Sequence, residues 1–212
     1  MKRITAEQIQ ALEKIGASTS EVVIGIDEVG VGCWAGPMTV AGVAVPRGWS
    51  HPEVKDSKAL SKGKRKKAEA IVKESALSWF ITSATNSEID VEGVQHARAR
   101  LTEEVALKML QYFPGALLVQ DGDLPVVIGG APQNMVWLAK ADVLVPAVSA
   151  ASVLAKVCRD EFMLLQSKNY PGYGFETNMG YGTAKHIEGL LAKGVCQLHR
   201  LSYKPVKQHL VR

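Results

Sequence analysis

The run Val22-Val23-Ile24-Gly25-Ile26-Asp27-Glu28-Val29-Gly30-Val31-Gly32, continued by Cys33-Trp34-Ala35-Gly36-Pro37, decides the architecture. Its first five residues are small or β-branched and apolar, so they read as a buried strand. The glycines and Pro37 then mark a turn. A second β-rich run, Met38 to Val45, stops at Pro46, and the pair reads as a hairpin. Upstream, Thr5 and Gln8 have capping-box spacing, which predicts a helix from about Ala6 to Ile15 that Gly16 and Ser18-Thr19-Ser20 bring to an end.

Downstream, Asp56-Ser57-Lys58 precedes a basic segment, Lys62 to Lys67, that runs into a helical pattern ending near Ser75. Trp79 to Thr85 reads as a third strand, and a long helix is expected over roughly Val91 to Tyr112. Ala116 to Gln120 and Met135 to Ala139 are short apolar strands. Pro146 suits the first turn of a helix running to about Lys168. A Gly/Tyr-rich loop, a helix near Thr183 to Lys193 and a polar tail complete the chain. Strands and helices in this order indicate an α/β domain with a mixed sheet.

The chain has 212 residues, 47% hydrophobic and 22% charged, with a net charge of +4. That supplies an ordinary core without disulfides. Cys33, Cys158 and Cys196 are odd in number and widely spaced, which argues against a disulfide framework or a zinc site and for small, buried or half-buried thiols in a reducing compartment. No apolar run approaches the ~20 residues of a membrane span, and the N-terminus is polar. A cytoplasmic protein with no membrane partner is expected. The mild positive charge favours nucleic acid only weakly.

Three carboxylates carry the chemistry. Asp27 and Asp121 each follow an apolar strand, and Asp142 closes a third apolar stretch. One such aspartate is ordinarily a turn former. Three in one α/β domain can converge at a sheet edge, where their mutual repulsion calls for a hard cation such as Mg²⁺ or Mn²⁺. Glu28 adds a fourth. Adjacent strand residues face opposite ways, so it joins Asp27 only if the strand ends or bends, which the following glycines permit. Such a cluster suits a metal-dependent phosphodiesterase of unspecified substrate.

The same residues resemble the ribonuclease HII family. Gly25-Ile26-Asp27-Glu28-Val29-Gly30-Val31-Gly32 is similar to its G-I-D-E-A-G-R-G signature, and Asp56-Ser57-Lys58 with Leu60-Ser61 to its D-S-K-x-L-S block. Asp121-Gly122, Lys140-Ala141-Asp142, Val148 to Ser152, Ala155-Lys156 and Arg159-Asp160 follow in the family's order. Tyr173-Gly174-Phe175, Gly180-Tyr181, Thr183, His186, His199-Arg200 and Ser202-Tyr203 complete the likeness, which spans roughly residues 22 to 206.

The resemblance implies a ribonuclease H-like fold: a five-stranded mixed sheet flanked by helices, with a helical C-terminal part. Residues 1–20 would form an N-terminal helical extension and 21–212 the catalytic domain. It implies Asp27, Glu28, Asp121 and Asp142 as catalytic, metal-binding residues for Mg²⁺ or Mn²⁺. It implies two-metal hydrolysis of RNA in RNA–DNA hybrids and 5′ of single ribonucleotides in duplex DNA, leaving 3′-hydroxyl and 5′-phosphate ends. Primer removal and ribonucleotide excision would be its roles, with a monomer expected. Gly30, Val31, Gly32 and Tyr181 map to the junction contacts, and Lys58 to a phosphate contact.

Val31 stands where the family has arginine, Asn178-Met179 where His-Lys is usual, and Cys33 where proline is usual. These departures leave room for a weakly cutting hybrid binder, or for an enzyme without junction specificity. Asp160 is expected to be structural, and His186 and His199 to pack or hydrogen-bond. Gln208 to Arg212 lack paired aromatics, so no sliding-clamp contact is expected.

Overall fold

The computed structural model describes residues 5–122 and 134–210. Met1 to Ile4 of the expected N-terminal extension, and Val211-Arg212 of the segment read against clamp binding, lie outside them. Helix α1 (Ala6–Ala17) has both hydrogen bonds of the Thr5/Gln8 capping box and continues through Gly16. The hairpin strands are β1 (Val22–Val29) and β2 (Met38–Pro46). A 3₁₀ turn over Ser57–Ala59 leads to α2 (Lys62–Ser75), β3 (Ser78–Ala84), α3 (Asn86–Glu92) and α4 (Val94–Tyr112). Then come β4 (Leu117–Asp121), β5 (Met135–Leu138), α5 (Ala141–Leu144) and α6 (Pro146–Asn169). Helices α7 (Phe175–Asn178), α8 (Ala184–Lys193) and α9 (Lys204–Lys207) form the C-terminal part.

The sheet is five-stranded and mixed, in the order β3-β2-β1-β4-β5. Strand β1 pairs antiparallel with β2 and parallel with β4. Side chains alternate across a strand, so the two faces sort by parity. Ile24, Ile26 and Leu118 pack with Leu101, Val105 and Met109 of α4. Leu117, Val119 and Val43 pack with Val148, Ala151 and Leu154 of α6. Gly25 lets α6 lie directly on the central strand, because a Cβ there would stand 2.1 Å from the Ala147 carbonyl carbon. A smaller third core, with Ala35, Met163, Tyr173, Phe175 and Leu190, joins the C-terminal helices to the turn after β1.

Four expectations need correction. The expected long helix is two, broken at Gly93, whose φ of +82° ends α3 before α4 begins. Strand β1 does not stop at Ile26: it stays paired with β2 as far as Val29, so Asp27 and Glu28 lie inside the strand. Asp142 sits in α5 rather than at a strand end, because Lys140 takes a left-handed conformation and turns the chain. Cys158 is exposed on α6, whereas Cys33 is buried and Cys196 partly so. Among the described residues no helix is long and apolar enough to cross a membrane.

Candidate active site

Parity places the acids. Asp27 is odd, like Val23 and Gly25, and so faces α6, where its carboxylate meets Ser152. Glu28 is even, like Ile24 and Ile26, and faces α4. The strand does not bend between them, because β1–β2 pairing continues through both residues. The register that pairs Ile26 with Gln120 sets Asp121, at the end of β4, beside Asp27. Asp142 follows one turn after β5, with its backbone carbonyl fixed by the Ser149 hydroxyl at 2.7 Å. Asp27, Asp121 and Asp142 therefore share the α6 side of the sheet edge, with Glu28 across it.

Each acid is held by the protein. The backbone N–H of Ala141 donates to Asp121 Oδ1 at 2.7 Å. Lys58 Nζ lies 3.1 Å from Asp142 Oδ2, and Arg98 Nη2 lies 2.8 Å from Glu28 Oε1. In these positions no three acidic, histidine or cysteine side chains among the described residues are grouped closely enough to hold a metal ion. The electrostatics nevertheless suit one. Burial pushes the Asp27 carboxyl well above the usual range, and the charges of Glu28 and Asp121 push it further. Asp121 is raised by burial and by Asp142, and Glu28 by burial, which outweighs Arg98. Burial works against the Lys58 ammonium, but the Asp142 hydrogen bond and nearby carboxylates outweigh it and raise its pKa. Asp27, Glu28 and Asp121 are oxygen donors strained toward protonation, and Glu28 Oε2 is buried without a hydrogen-bond partner among the described residues, an environment that fits a hard divalent cation.

The turn between β1 and β2 holds Gly30, Val31 and Gly32. Gly30 has φ +93°, and a side chain there would collide with the Arg159 guanidinium; over Gly32 the space is open. Two fully buried arginines hold this turn, neither with a carboxylate partner among the described residues. Arg159 donates to the carbonyls of Pro37, Ala35 and Met179, at 2.7, 3.1 and 2.8 Å. Arg200 donates to Gly36 and, at 2.9 Å, to the Val31 carbonyl. The Val31 carbonyl is thus turned inward, and Gly32 is the exposed part of the turn.

Tyr181 is exposed beside the same turn with Cys33 as a neighbour, its hydroxyl raised in pKa by burial first and by Cys33 second. The link is structural: the backbone N–H of Trp34 donates to the Gly180 carbonyl at 2.8 Å. The histidines pack and hydrogen-bond as expected. His199 Nδ1 accepts from the Cys196 N–H, its Nε2 meets His186 Nε2 at 3.0 Å, and His186 Nδ1 meets the Tyr181 carbonyl at 3.0 Å. One neutral tautomer of each ring satisfies that whole chain. Asn178 is buried, bonded to Tyr173 and Gly180. Asp160 is buried between Lys156 and Arg65. Of the basic run, Lys66 and Lys67 are taken up by Glu69, Glu161 and Glu53, while Lys62 and Lys64 have no ion pair among the described residues.

Sequence reasoning gave no role to Arg98, Arg159 or Arg200. Arg98 had a signal: it falls three residues before Leu101 and seven before Val105, on the apolar stripe of its helix, where a charge needs a partner. Arg159 and Arg200 lay within the resembling motifs but gave no hint of burial.

A sequence model of the ribonuclease HII family matches residues 24–206. A ribonuclease HII of Ligilactobacillus salivarius is 40% identical over 192 residues, covering 91% of this chain and 73% of that protein. The ribonuclease H2 structure from Pyrococcus horikoshii superposes with a TM-score of 0.70 at 23% identity, covering 88% of this chain and 96% of that one. The Bst ribonuclease HIII structure in complex with Mn²⁺ gives 0.75 at 21% identity, covering 99% of this chain and 75% of that one. Both share the ribonuclease H-like architecture. The chain therefore belongs to the ribonuclease HII family of endonucleolytic hydrolases.

Proposed function

We propose that this protein is a metal-dependent endoribonuclease. It cuts the RNA strand of RNA–DNA hybrids, and cuts 5′ of single ribonucleotides embedded in duplex DNA. The observation that carries the reading is the placement of Asp27, Asp121 and Asp142 on one side of a sheet edge, with Glu28 across it. The Mn²⁺ held by the ribonuclease HIII relative supports a divalent cation, Mg²⁺ or Mn²⁺. Asp27, Glu28, Asp121 and Asp142 would hold it. Bound there, paired divalent ions supply an activated water and charge stabilisation on the leaving oxygen of an in-line displacement.

The chain's own residues do the rest. Lys58, three-quarters exposed at the rim of the acids, is free to exchange Asp142 for a phosphate oxygen. Gly32 offers uncovered backbone to a sugar, and the Tyr181 ring packs on the neighbouring sugar. Only the 2′-hydroxyl tells ribose from deoxyribose at a duplex site, so these contacts bear the discrimination. Phosphate contacts position the duplex without reading sequence. Cleavage leaves a 3′-hydroxyl and a 5′-phosphate, the ends suited to primer removal and to excision of misincorporated ribonucleotides.

The test uses two labelled duplexes, one with a lone ribonucleotide in DNA and one with a continuous RNA strand on DNA, each with Mg²⁺, Mn²⁺ or chelator. Metal-dependent cutting 5′ of the lone ribonucleotide is expected. Cutting of the long hybrid alone would remove the junction role from Gly32 and Tyr181. Tight binding without cutting would replace the enzyme with a hybrid-binding protein.

A further inference from the structure

Lys58 and Arg98 both pair with the acidic cluster, but they differ in enclosure. The Lys58 side chain is 75% exposed, whereas Arg98 and Glu28 are 17% and 13% exposed. The Arg98 guanidinium also lies over the end of β4, 3.0 Å from where a Cβ on Gly122 would stand. It therefore lies over the neighbouring ends of the strand that carries Glu28 and the strand that carries Asp121. Arg98 Nε and Glu28 Oε2 are both buried without a hydrogen-bond partner among the described residues. Neither group is fully satisfied by the other, so the contact is a charge pair made in a confined space rather than a saturated bidentate clamp.

We infer that Arg98 is a resident cation of the acidic cluster, holding Glu28 out of metal binding in the free protein. One divalent ion then binds readily on the side of Asp27, Asp121 and Asp142, and a second ion at Glu28 must first displace the guanidinium. This rests on the proposed metal site. The reason is electrostatic: a second cation entering beside Glu28 meets a fixed positive charge and a carboxylate already neutralised. Breaking an enclosed pair leaves one charge uncompensated. Arginine cannot yield by losing its proton, so the guanidinium has to move.

The experiment is a Mn²⁺ titration of the full chain without nucleic acid, followed by electron paramagnetic resonance of free Mn²⁺ and by calorimetry. The wild type is expected to take one ion tightly and a second much more weakly. Arg98→Gln should tighten the second ion on the order of ten-fold or more, while Arg98→Lys keeps it weak. An unchanged second ion in a folded Arg98→Gln protein would overturn the inference. Should Arg98→Gln fail to fold, Glu28→Gln decides: the first ion should keep its affinity, and its loss would put Glu28 among the first ion's ligands. Asp121→Asn separates the two ideas. If it leaves all Mn²⁺ binding intact, the proposed metal site itself is wrong and the inference falls with it. If it removes binding while Arg98→Gln and Glu28→Gln behave contrary to expectation, only the role of Arg98 is wrong.

Discussion

Asp27 and Glu28 share a peptide bond yet face opposite sides of β1, one toward Ser152 and one toward Arg98. Their neighbours decide what substitution does. Asp27→Asn or Asp121→Asn keeps the shape of the side chain and removes a charge that burial and repulsion already strain. Cleavage should fall on the order of 10²–10³-fold or more while circular dichroism and melting stay native; full activity in either variant would end the proposed metal site. Tyr181 lies next to Cys33, at the glycine turn rather than on the strands that carry the acids. Tyr181→Ala should therefore reduce single-ribonucleotide cleavage more than long-hybrid cleavage, measured as kcat/KM on each duplex. Equal losses would assign the ring to general duplex binding.

Between elements, close packing and buried polar chains set the tolerances. Gly25→Ala would drive a methyl into the Ala147 backbone where α6 crosses β1, and should cost about 3 kcal/mol in denaturant unfolding. An unaltered midpoint would mean that α6 can lift from the sheet. The His186–His199 pair joins α8 to the segment before α9. Burial and the neighbouring His186 lower His199 from 6.5 to about 4. A base depressed in the folded state takes its proton more readily when unfolded. Its contribution is therefore complete above about pH 6.5 and drains as the pH falls toward 4, by about 3 kcal/mol. The raised carboxylates act in the opposite sense, so the quantity to measure is the difference between wild type and His199→Gln from pH 7.5 to about 4. A constant difference would refute the depressed histidine.

These elements also show what the sequence made legible. The hairpin, the sheet class and most helix limits followed from periodicity, caps and Pro146, because those signals are local. The run through Asp27 to Val29 hid its strand character, since two carboxylates interrupt an apolar pattern that only pairing with β2 restores. The break at Gly93 was missed because helical periodicity resumes at once on its far side. The four acids stood out by position, but their division between two faces needed the register. The arginines that hold the turn could not be found by pattern, since long polar side chains are normally exposed.

For the whole molecule, a net charge of +4 leaves duplex binding to where the charge sits. Lys62 and Lys64, exposed and without an ion pair among the described residues, are better placed to meet phosphate than Lys66 or Lys67, which already face carboxylates. Replacing Lys62 and Lys64 with alanine should weaken hybrid binding for every sequence alike. It should also lower the slope of log affinity against log salt by roughly one per lysine lost, whereas the same change at Lys66 and Lys67 should alter it less. Equal slopes in both double variants would place the duplex elsewhere. The strand order has a consequence in time as well. Strand β1 meets β2 across a short turn, but its parallel partner β4 arrives only after more than half of the chain has been made, and Asp142 later still. Non-local, parallel pairing of this kind is slow to close. During synthesis the hairpin can form while the nuclease is still chemically silent, and cutting power appears only once the chain has committed to its native topology.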